Sequence, residues 1–116
     1  MRFLAGLRVD LEMKQYKIFM AEPAADDLQD IVSYISNELK EPVTAQKLLG
    51  KIKRAVMSLA DMPVRHALVS DERLAHQGIR KLMVDNYIIF YVASEKDKLV
   101  TIIRILCGRR DWLNLL

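Results

Sequence analysis

The chain has one cysteine, Cys107. No disulfide can form within it, which fits a reducing compartment and points to the cytoplasm. Histidine is nearly as scarce. His66 and His76 show no ligand-type spacing, so no metal site is expected. There is no G-x-x-x-x-G-K-[ST], no G-x-G-x-x-G and no G-x-S-x-G, which leaves nucleotide hydrolysis, dinucleotide binding and serine hydrolysis without support. No cofactor is expected. No apolar run reaches the ~18 residues needed to span a membrane, so no membrane partner is expected. The opening MRFLAGL is too short for a signal segment and no small-residue cleavage site follows it. Repeats, low-complexity tracts and internal linkers are absent.

The composition is that of a globular domain. Of 116 residues, 52% are apolar and 28% charged, enough for one core. Residues 1–12 read as an N-terminal extension or tag outside the fold, and residues 13–116 as a single domain. Net charge is +3, but it is uneven. From Ile79 to Arg110 there are seven Lys/Arg and three acids, 7 − 3 = +4. Such clustering favours a polyanion or an acidic protein partner.

The periodicity changes along the chain. Gln15 to Met20 is short, aromatic and β-branched, and predicts a strand. Glu22-Pro23 then opens a helix, with Asp26 and Asp27 favourably placed near its N-terminal dipole. Ala24, Leu28, Ile31, Ile35 and Leu39 form its apolar stripe. Glu41-Pro42 opens a second helix, which Met62-Pro63 stops. The short connection predicts an αα-hairpin. Val64 to Gln77 has no clear period and reads as a loop.

From Ile79 the period becomes two. IRKLMV and YIIFYVA flank Asp85-Asn86, a two-residue hairpin turn. LVTIIRILC is a third strand, and DWLNLL a short apolar tail. The order β-α-α-(loop)-β-β-β predicts an α+β domain: an N-terminal strand, an α-helical hairpin, then an antiparallel β-meander and a short C-terminal segment. The helices should cover one sheet face and leave the other more open. A two-residue turn pairs Val84 with Tyr87, Leu82 with Ile89 and Arg80 with Tyr91 on one face. Lys81, Met83, Ile88, Phe90 and Val92 then share the other. Arg104 interrupts the last strand, so either it lies on the open face or an acid meets it.

Among the chemistry-bearing residues, Cys107 reads as a small apolar residue ending a strand rather than a nucleophile, since no histidine partners it. Tyr87 and Tyr91 either stack on bases or fill the core with a hydroxyl bonded to backbone. The sharpest feature is Arg109-Arg110, with Lys81 and Arg104 nearby in a compact sheet. Arginine forks bind phosphate bidentately, and Trp112 either stacks on a base or seals the core edge.

AEPAADDLQDIVSYISNEL, the helix ending SLADMP, GIRKLMVDNYIIFYV and VTIIRILCGRRDWLNLL together resemble the RelE/ParE superfamily of bacterial type II toxins, over roughly Met13 to Leu116. The resemblance implies a toxin neutralised by a co-expressed antitoxin protein, with one of two targets. RelE-like members are ribosome-dependent mRNA endonucleases that need no metal, so the ribosome and mRNA would be the partners. ParE-like members poison DNA gyrase without catalysis of their own. In the RelE-like reading Arg110 and Lys81 fall at catalytic positions, and Arg104, Arg109, Arg80 and Trp112 grip the RNA. Ile88 stands where those toxins commonly carry an arginine, and their C-terminal tyrosine or histidine has no counterpart here. The expected activity is mRNA cleavage that blocks translation, with gyrase inhibition or an inactive antitoxin-binding member as the alternatives.

Overall fold

The computed structural model describes residues 15–61 and 63–108. Strand β1 spans Lys17–Met20. Helix α1 spans Glu22–Ser33, with Pro23 in its first turn, and runs on as one wider π-helical turn, Tyr34–Glu38. Leu39 N–H reaches back five residues to the Tyr34 carbonyl. Lys40, at φ 54°, ends the helix, a left-handed stop of the kind glycine usually supplies. Helix α2 spans Pro42–Ser58. After a 3-10 turn at Pro63–Arg65 and a short helix α3, Glu72–His76, come β2 (Arg80–Val84), β3 (Tyr87–Ser94) and β4 (Leu99–Cys107).

The fold is α+β, as the periodicity predicts. The sheet order is β1-β4-β3-β2. Strands β2, β3 and β4 form the expected antiparallel meander, and Val84↔Tyr87, Leu82↔Ile89 and Arg80↔Tyr91 pair as expected. The turn holds because Asp85 takes φ 52°, which Asp tolerates better than most residues. Strand β1 adds in parallel to β4, from Lys17↔Leu99 to Met20↔Ile102.

Because side chains alternate along a strand, the sheet divides two cores. Ile89, Tyr91, Val100 and Ile105 pack under the helical hairpin against Ala24, Ile52 and their neighbours. Ile88, Phe90 and Leu106 face the other way. That second face is more covered than the sequence suggests. The stretch read as a loop folds over it, burying Val69, Leu74 and Ile79 there. Asp71 caps α3 by accepting from Leu74 N–H at 3.0 Å, and Leu68 bridges to Arg80 at the β2 edge. Among the described residues, no helix is long and apolar enough to cross a membrane.

Candidate functional site

Strand β4 carries a bulge. Phe90 pairs with Arg104 and Tyr91 with Ile102, so Ile103 is left over, and the strand bends there. Strand β1 ends at Met20, with Ala21 N–H still bonded to the Ile102 carbonyl. Beyond Ile102 the outer edge of β4 is therefore without a strand neighbour among the described residues. Helix α1 takes over. Asp27 accepts Ile105 N–H at 3.0 Å and receives the Arg104 guanidinium through Nε at 2.7 Å and Nη2 at 2.8 Å. One carboxylate thus satisfies a strand edge and a cation together. The side chains are 23% exposed for Arg104 and 12% for Asp27, so water screens the pair little. The bond to Asp27 is the main reason the Arg104 guanidinium holds its proton even more tightly than usual.

Next to this clamp, α1 and β4 enclose a groove of about 430 Å³, lined by Asp27, Ile31, Tyr34, Tyr87, Ile105 and Cys107. Its walls are mainly apolar, with the carboxylates of Asp27 and Asp30 among them. Burial, then the neighbouring Cys107 and Tyr34, push the Tyr87 phenol above its ordinary range, so it stays neutral near pH 7.

The residues singled out from the sequence do not share one surface. Lys81 pairs with Phe90 and lies on the face away from the helical hairpin. Arg104 is in the same lateral row, two strands from Lys81, about 10 Å by strand spacing. Its guanidinium leaves that row for Asp27. Arg80 alternates to the opposite face from Lys81, and its Nη1 donates to the His66 carbonyl at 2.7 Å. Arg109, Arg110 and Trp112 lie outside the described residues. Of the two options for Arg104, the acid is the one realised, and Asp27, read from sequence as a dipole partner, supplies it. Tyr91 fills the core and donates its hydroxyl to the Pro63 carbonyl.

The sequence profile described as "ParE toxin of type II toxin-antitoxin system, parDE" matches residues 18–112. No curated protein sequence matches. Among solved structures, the chromosomal ParDE toxin–antitoxin system from P. aeruginosa aligns at 22% identity and TM-score 0.66, covering 81% of this chain and 97% of that one. The toxin–antitoxin complex RelBE2 from Mycobacterium tuberculosis aligns at 16% identity and TM-score 0.60, covering 80% and 98%. At these identities the likeness is one of fold.

Proposed function

Because the chain belongs to the ParE toxin family of type II toxin–antitoxin systems, we propose that it inhibits DNA gyrase in the cytoplasm without cleaving RNA itself, and that a cognate antitoxin protein neutralises it. The observation carrying the choice of target is where the described cations point. Metal-free cleavage of RNA needs several positive groups converging on one phosphate, where charge develops. Here Arg104 is neutralised by Asp27, Arg80 is engaged on the other face by His66, and Lys81 is left apart from both. The antitoxin is supported by family membership, and both structural relatives come from toxin–antitoxin systems.

Two assays on toxin separated from its antitoxin test the reading. Supercoiling by purified gyrase should fall and cleaved DNA should accumulate, while transcripts in a coupled translation reaction stay intact. Transcripts cut at codon boundaries with gyrase unaffected would establish the RelE-like endonuclease instead. Harmless overexpression without antitoxin, with both assays negative, would identify an inactive member.

A further inference from the structure

The two helices of the hairpin carry opposite charges. From Glu22 to Glu38 there are five acids and no Lys or Arg. Helix α2 carries Lys47, Lys51, Lys53 and Arg54 and no acid. All four cations are exposed. Lys47, Gly50, Lys51 and Arg54 recur at i, i+3, i+4 and i+7, so they form one stripe about 10 Å long. Gly50 contributes to its shape: a Cβ there would stand 3.3 Å from Arg54 Nη1, so the guanidinium lies back over the glycine and along the stripe. Lys51 is in an ion pair with Asp85 at 3.2 Å, with both side chains about half exposed. A pair this exposed is weak and exchanges readily with a competing anion. Lys47 and Arg54, the other two cations of the stripe, are in no ion pair among the described residues.

We propose that the exposed face of α2, through Lys47, Lys51 and Arg54, binds the phosphate backbone of duplex DNA. The alternative occupant of a basic helix is an acidic amphipathic peptide, which needs an apolar seam running between the charges. On α2 the exposed apolar side chains stand at the two ends, Val43 at 65% and Met57 at 61% exposure, and the middle is cationic around a glycine. A uniformly charged, seamless surface matches a uniformly charged backbone. The inference deepens the gyrase reading and rests on it for biological meaning, since gyrase works on duplex DNA.

The test is fluorescence anisotropy with a labelled duplex of about 20 base pairs and the whole toxin. Three phosphate contacts predict a log–log salt slope of about −3, and the doubly substituted Lys47→Gln/Arg54→Gln protein should fall to about −1 and bind at least about tenfold more weakly at low salt. Lys17→Gln/Lys96→Gln removes the same charge from exposed sites elsewhere and should stay within about twofold of the parent if site, not net charge, decides. Matching thermal melts for the two variants exclude unfolding as the cause. Equal losses in both variants, a flat salt response, or preferential binding of polyglutamate or single-stranded RNA over the duplex would overturn the assignment. The assay contains no gyrase. A toxin that binds duplex but leaves gyrase untouched keeps this site and removes the gyrase reading; one that stalls gyrase yet ignores free duplex does the reverse.

Discussion

Asp27 holds Arg104 with both carboxylate oxygens while one of them also accepts the Ile105 N–H. The contact joins residues 77 positions apart and locks α1 onto the β4 edge where β1 has stopped. Removing one member of a mostly buried pair leaves the other charge without compensation, at a cost of about 3 kcal/mol. Asp27→Ala should therefore destabilise strongly, since it also orphans an amide. Denaturant unfolding of Asp27→Ala, Arg104→Ala and the double variant should give a coupling above about 1 kcal/mol. Additive losses would mean that the two side chains stabilise the fold independently.

Tyr91 is fully buried, and its hydroxyl donates to the Pro63 carbonyl. Its ring also meets His66 edge-on, with centroids 6.4 Å apart. Tyr91→Phe keeps the ring and its packing but strands the carbonyl. The expected loss is about 1–3 kcal/mol, with faster amide exchange in the 63–69 segment than in β3. A variant as stable as the parent would mean that water replaces the phenol.

The Tyr87 phenol is raised by burial first, then by Cys107 and Tyr34. The folded protein therefore holds that proton more tightly than the unfolded chain. Its contribution to stability is present below the unfolded tyrosine value of about 10 and is lost as pH rises from there through the folded value. Melting temperature should decline above about pH 10 in the parent, and less steeply in Tyr87→Phe. Identical alkaline slopes would assign the decline to other groups.

Much of the fold was legible because its signals are local. Asp85-Asn86 between two alternating runs sets the β2–β3 register to the residue, and Glu22-Pro23 and Glu41-Pro42 mark both helix starts. The parallel pairing of β1 with β4 was not legible, since a four-residue strand does not encode its neighbour. The loop reading of 64–77 missed α3, although Asp71 three residues before Leu74 is a capping signal, because a five-residue helix has too few turns to show a period. At the candidate site, Arg104 announced its need for an acid. The partner was readable in hindsight: Asp27, three after Ala24 and four before Ile31, lies on the apolar side of α1, where an acid without a partner is costly. Attributing it to the helix dipole concealed this. Charge counting along 79–110 also overlooked α2, whose cations stand out only when each helix is counted separately.

Lys40 adopts φ 54° just past the π-helical turn. Left-handed backbone costs a residue with a Cβ roughly 1 kcal/mol, and glycine avoids the cost. Lys40 is exposed, so little packing is at stake. Lys40→Gly should therefore raise stability by up to about 1 kcal/mol, offset in part by the greater freedom of glycine in the unfolded chain. Lys53→Gly, at an exposed interior position of α2, should lower it by about 1 kcal/mol. Opposite signs for the same chemical change, measured by urea unfolding with equal slopes, isolate backbone conformation as the cause. Destabilisation by both would mean that the Lys40 side chain contributes more than its strained backbone costs.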